Sequence, residues 1–195
     1  MKFFTRDMGG LDKFSKVCSW LYIPWLILLI IWPDFRHALT TIAASGWGIV
    51  FLMLLAVIGN LIPGVPTNPA PILLGFAWII SPTYGIPNFA ILVIATTAGS
   101  LFAYYLGRNL KTPNFVVGNN GFEAARDRFN QAKSKGLLIF TSRFWKSGGL
   151  GYINYRAGFR EKPTTVLFTV YALLGHAIWV CLYFFGAYGI GKLLG

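Results

Sequence analysis

The sequence predicts an all-α polytopic membrane protein. Its plan is an N-terminal transmembrane helix, then an inverted repeat of two re-entrant (broken) helical hairpins. Each hairpin is followed by a transmembrane helix, and an interfacial amphipathic helix lies between the halves. Three observations predict this. Only 12% of the 195 residues are charged while 55% are hydrophobic, about half the charge of a soluble domain. No Asp, Glu, Lys or Arg occurs between Arg36 and Arg108, a stretch long enough to cross or re-enter a bilayer more than once. Two apolar stretches are interrupted by clustered helix breakers that a continuous helix does not hold. The length fits one membrane domain over residues 1–195.

Residues 14–33 form the first apolar helix, kinked by Pro24 and ended by Pro33. The basic, mixed start and the lack of a small-residue cleavage site argue against a signal peptide. Residues 34–46 read as a short link with Arg36 and His37. Repeat 1 spans 47–107. From Trp47 to Ile62 the chain is apolar. Pro63, Gly64, Pro66, Pro69 and Pro71 then break it, and an apolar run resumes to Ile80. Irregular backbone at membrane depth survives only where protein or a wet cavity meets it, so 47–80 reads as a broken hairpin. Asn60, Thr67 and Asn68 sit at its turn, where they either satisfy freed backbone groups or line a polar path. Residues 88–107 make a full crossing. The Gly99, Ala103, Gly107 stripe on it lets another helix approach, within the chain or in a homo-oligomer.

Residues 108–135 are a basic loop, and Phe122, Ala125, Phe129 and Ala132 recur at helical spacing. They predict an amphipathic helix over 122–134 lying in the interface. The excess of Lys and Arg places this loop and the N-terminus in the cytoplasm and the C-terminus outside. Repeat 2 spans 136–194. Its hairpin, 136–158, is interrupted by Arg143, Lys146, Gly148, Gly149, Gly151, Asn154 and Arg156. Pro163 fits the first turn of the last helix.

The net charge of +11 flanks apolar segments and forms no basic face on a soluble domain. It reads as loop charge facing anionic lipid, not a nucleic-acid surface. Cys18 and Cys181 read as reduced core cysteines. With two histidines and no accompanying carboxylates, no metal set, cofactor site or enzyme constellation is expected.

Ionisable groups at membrane depth are costly and are usually functional. Arg143 is the sharpest case, because a guanidinium matches phosphate as a planar fork. Lys146 and Arg156 either add charge at that phosphate or snorkel to the interface. His176 is either a proton carrier or an interhelical hydrogen-bonding group. No carboxylate lies between Asp34 and Glu123, or after Glu161, so none sits deep in either hairpin.

Several motifs occur in order: Pro63-Gly64-Val65-Pro66 with Gly75, then Gly99 with Tyr105-Leu106-Gly107-Arg108. Ser142-Arg143-Phe144, Asn154-Tyr155-Arg156-Ala157-Gly158, Phe168, Gly175-His176-Ala177-Ile178-Trp179 and Gly186 to Gly191 follow. Over residues 47–191 the chain resembles the DedA / VTT-domain superfamily (SNARE-associated Golgi proteins). Asn154-Tyr155-x-Ala157-Gly158 looks closer to the branch of the eukaryotic VTT-domain scramblases. Lys146 and Gly149 depart from the Arg-Phe-x-Pro-x-x-Arg of the DedA branch. The resemblance implies transbilayer lipid transport of flippase or scramblase type in the cell (inner) membrane. Its cargo would be a polyprenyl phosphate or a phospholipid. Expected at the phosphate are Arg143, Lys146 and Arg156. The groove is expected from Asn60, Pro63, Pro66, Asn68, Asn154, Tyr155 and Gly158. The other readings are a proton- or ion-coupled small-molecule exporter using His176, and a non-transporting scaffold acting through helix 122–134.

Overall fold

A computed structural model describes residues 8–63, 69–80, 83, 85–109, 120–144, 149–161 and 163–194. Among these the protein is all-helical, with nine α-helices. Residues Pro66, Thr67, Asn68 and Lys146 lie outside the described set.

Helix α1 (Met8–Ile31) carries Pro24 in its interior. It ends because Pro33 denies the helical region to the residue before it: Trp32 is extended at φ −112°, ψ 97°. The expected link at 34–46 is instead a helix, α2 (Pro33–Ala44), with Pro33 at its first turn and Asp34 beside its N-terminus. Proline lacks only an N–H that is unused there, and the carboxylate favours the positive end of the helix. α2 leaves α1 at 104°. The guanidinium of Arg36 donates to the carbonyl of Ile30 at 3.1 Å, satisfying one of the orphan acceptors of α1.

Ser45 caps α3 (Gly46–Leu61) by accepting from the Gly48 N–H at 3.0 Å. The helix breaks at Ile62 and Pro63 and helical structure resumes as α4 (Pro69–Ile80), so the apolar stretch is interrupted where the prolines predict. Helix α5 (Ile86–Asn109) follows. Next come α6 (Asn120–Gln131) and α7 (Lys135–Thr141), which Ser134 caps. A 3₁₀ turn covers Ser142–Phe144. α8 (Gly149–Arg156), a π turn (Ala157–Glu161) and α9 (Thr165–Leu194) complete the chain. The second hairpin is thus also interrupted.

Helices α5 and α9 are each long and apolar enough to cross a membrane, and the α1–α2 pair passes as one bent span. With two or three such spans this is a membrane protein. Its outer surface agrees: Trp20, Trp47 and Val166 are 76, 86 and 73% exposed, far more apolar surface than water tolerates. Cys181 is exposed on α9 rather than in the core. The side chain of Cys18 lies outside the described set.

The arms of each hairpin part company. α3 packs on α5 while α4 packs on α9. α7 packs on α9 while α8 and the π turn pack on α5. Small residues permit this. A Cβ at Gly99 would collide with the Val57 carbonyl, and one at Gly75 with the Phe184 carbonyl, so the small-residue stripe serves packing. Helix α6 differs from expectation. Phe122, Ala125 and Phe129 are fully buried, and α6 packs on α8. Its apolar stripe is covered by protein rather than by lipid.

Three apolar clusters make the core of the described residues, the smallest joining Leu29, Ile72, Phe76 and Ala187, and the two largest follow one another along the bundle. One cluster unites Ala103, Tyr104, Phe122, Ile139, Tyr155, Phe168 and Ala172. The other unites Leu52, Ala56, Leu74, Leu92, Val93, Trp179 and Phe184.

Candidate functional site

A polar layer separates the two largest apolar clusters. On α5 it is Ser100, between Val93 of one cluster and Ala103 of the other. On α9 it is His176, between Ala172 and Trp179. The hairpins supply the rest where they break: Asn60 one residue before the end of α3, Arg143 in the 3₁₀ turn after α7, and Asn154 in α8. All five are buried, and Arg143 is only 3% exposed. The tips meet. A Cβ at Gly151 would lie 2.9–3.0 Å from atoms of Pro63.

Hydrogen bonds join the five side chains. The Nη1 of Arg143 donates to Asn154 Oδ1 at 2.8 Å. Asn154 Nδ2 donates both its protons, one to the Asn60 carbonyl at 3.2 Å and one to Ser100 Oγ at 3.1 Å. The first satisfies a carbonyl that the end of α3 leaves without an intrahelical donor. Asn60 Nδ2 donates to the Ala56 carbonyl at 2.7 Å. Ser100 Oγ lies 3.3 Å from Asn60 Oδ1 and 2.9 Å from His176 Nε2. A hydroxyl has one proton for these two acceptors, so the Ser100 rotor and the His176 tautomer move together.

Within this layer three buried nitrogens have no hydrogen-bond partner among the described residues: Arg143 Nε, Arg143 Nη2 and His176 Nδ1. The first two are not an arbitrary pair. Nε–H and the Nη2–H on the same edge point in parallel, and that edge takes two oxygens of one oxyanion. Asn154 uses the other nitrogen. Arg143 forms no ion pair among the described residues, and the sequence has no carboxylate between Asp127 and Glu161. The guanidinium carbon sits 5.8 Å from the Phe168 ring centroid, a cation–π contact that steadies the charge without neutralising it. Gly175 makes room: a Cβ there would be 2.6 Å from Arg143 Cγ and 2.9 Å from the Phe140 carbonyl.

Arg143, Asn60, Asn154 and His176, all singled out by sequence, therefore come together. Arg156 does not join them. It stands two residues from Asn154, a spacing that turns side chains apart on a helix, and its guanidinium lies 5.3 Å from the Phe122 ring on α6. Tyr155 and Gly158 pack rather than line a groove. Tyr155 is core, its carbonyl lies against Gly107, and Gly158 lies against the Tyr104 carbonyl. Pro63 is buried where the chain breaks after α3. Sequence reasoning missed Ser100, which hides inside the small-residue stripe. The signal was the dipeptide Gly99-Ser100 on one crossing helix opposite Gly175-His176 on the other.

No protein-family model, curated protein or solved structure matches the chain.

Proposed function

We propose that this protein moves a phosphate-bearing lipid between the leaflets of its membrane, as a flippase or scramblase, with Arg143 holding the phosphate. One observation carries the reading. A buried guanidinium keeps its bidentate edge without a hydrogen-bond partner among the described residues, and no carboxylate pairs with it there. Burying a lone cation is expensive, and an anion that arrives and leaves accounts for retaining it. The head group would sit at Arg143 while the tails stay in lipid. Because the site is closed, the hairpin tips must part to admit it. Cargo of this kind includes a phospholipid or a polyprenyl phosphate.

The architecture proposed for this task is an inverted repeat, with α3, α4 and α5 matching α7, α8 plus the π turn, and α9. The exchanged packing favours it, since each first arm lies on its own crossing helix and each second arm on the other repeat's. The two Gly-polar dipeptides favour it too: Ser100 and His176 follow Gly99 and Gly175 and touch each other. With the basic loop in the cytoplasm, the hairpins would dip from opposite leaflets and bring Arg143 near the midplane. On this reading the chain is a DedA / VTT-like protein of the inner membrane.

Redistribution of labelled phospholipids and of polyprenyl phosphate in proteoliposomes tests the proposal. Translocation above empty vesicles is expected, and none with any of these lipids would leave a scaffold instead. A second reading, proton-coupled export, is favoured by the hydrogen-bonded path from His176 through Ser100 and Asn154 to Arg143. Transport indifferent to an imposed pH gradient removes it.

A further inference from the structure

We infer that Asn154 is the positioning residue of the anion site: its neutral amide aims the Arg143 fork and leaves the arginine's charge uncompensated. The inference rests on the reading of Arg143 as an anion binder and adds a residue through which that binding is set.

Arg143 makes a single hydrogen bond to the described protein, and it goes to Asn154 Oδ1. That bond occupies Nη1 and so fixes which edge remains, the Nε–Nη2 edge. Asn154 is itself held. Both of its amide protons are placed, on Asn60 of the first hairpin and on Ser100 of α5. Rotating the amide would exchange its oxygen for its NH₂ and set a donor against Nη1, which is itself a donor. The orientation is therefore locked from three elements, and the guanidinium inherits it.

The amide's neutrality matters as much as its aim. A carboxylate is the same size and could accept the same Nη1–H. It would also neutralise the cation and remove the reason for an anion to bind. Asparagine supplies the geometry of an ion pair without its charge. The residue also ties anion binding to the hairpins, because the amide that steadies Arg143 is the one bonded to the α3 carbonyl at the opposite tip.

Two variants separate aim from charge. Asn154→Ala removes the aim and keeps the cation alone. Asn154→Asp keeps an acceptor at Nη1 and cancels the charge, and it loses the same two donors to Asn60 and Ser100 that Asn154→Ala loses. Purified protein in detergent is titrated with dihexanoyl-phosphatidylglycerol, and stabilisation is followed by thermal unfolding. Initial translocation rates in proteoliposomes are measured as a function of labelled lipid. Wild type should be stabilised by the probe. Asn154→Ala should need about tenfold more probe, with a raised half-saturation for transport and a nearly unchanged maximal rate. Asn154→Asp should lose the response to probe altogether, although its unfolding midpoint without probe is no lower than that of Asn154→Ala.

A merely structural asparagine would lower midpoints and folded yield in both variants and leave the half-saturation of the folded fraction unmoved. That result overturns the inference, as does an Asn154→Asp protein that answers the probe like wild type. If Asn154→Asp does not fold, the half-saturation of Asn154→Ala alone decides. A wild type that answers the probe, with the predicted order among variants, but moves no lipid would keep the anion site and refute transport. A wild type blind to the probe would refute both.

Discussion

Replacing Arg143 by methionine separates a functional charge from a structural one. Methionine keeps most of the side chain's apolar length and removes the cation. Two opposing terms follow from the geometry. An ionised arginine at membrane depth costs about 2.5–3.5 kcal/mol on insertion scales, and that cost disappears. Against it, one charge-assisted hydrogen bond to Asn154 is lost, at about 1.5–3 kcal/mol. The Phe168 contact adds roughly 0.5–1 kcal/mol. The terms nearly cancel, so Arg143→Met should change the unfolding free energy in mixed micelles by about 1.5 kcal/mol or less in either direction. Transport should behave differently. Losing a charge-assisted bond to the cargo, at about 1.5–3 kcal/mol, lowers the rate per folded molecule by about ten- to a hundredfold. A destabilisation above about 3 kcal/mol, the figure for stripping one partner from a buried pair, would show that the guanidinium is part of the scaffold and would refute the argument.

Other perturbations follow from the same geometry. Ser100→Ala withdraws the acceptor of Asn154 Nδ2 and the partner of His176 Nε2. Leaving buried polar atoms unmet at about 1–3 kcal/mol each, it should lower the thermal midpoint clearly in a detergent unfolding scan. Gly175→Ala puts a methyl 2.6 Å from Arg143 Cγ. The overpacking should cost about 1–3 kcal/mol and disturb lipid half-saturation as well, which a kinetic series in proteoliposomes reads. Tyr104→Phe is the control away from the site. Its hydroxyl donates to the Pro163 carbonyl at 2.6 Å and accepts from Arg108 at 2.9 Å. Removing it should cost about 1 kcal/mol and leave transport per folded molecule unchanged.

Much of this fold is legible because breakers inside apolar sequence have few solutions. The prolines from Pro63 onward and the glycines from Gly148 mark both interruptions, and long uncharged runs mark α5 and α9. Helix α2 is not legible in the same way. Pro33 reads as a stop for α1, whereas it is also the first residue of the next helix. The pair of Pro33 at the first turn and Asp34 beside the N-terminus is the local cue for this helix. The amphipathic stripe of α6 is plain, but periodicity cannot say whether lipid or protein covers it, and α8 does.

At the site, polar residues stranded in apolar sequence stand out one by one, which is why Arg143, Asn60, Asn154 and His176 could be named. Their connectivity depends on which helix faces which, and no spacing encodes that. Ser100 shows the limit, since a serine beside Gly99 reads as a packing residue until His176 is found 2.9 Å away. Arg156 shows the converse. Its closeness to Asn154 in sequence reads as membership, yet helical geometry turns it toward Phe122.

The contact between guanidinium and lipid phosphorus is the most direct observable of the whole account. Protein labelled with ¹⁵N-arginine in phospholipid bilayers would be measured by ¹⁵N–³¹P dipolar recoupling under magic-angle spinning. A buried, water-excluded guanidinium signal coupled to lipid phosphorus, and absent from Arg143→Met, is the result predicted. A buried Arg143 signal with no phosphorus coupling, while the protein moves lipid at full rate, would contradict it.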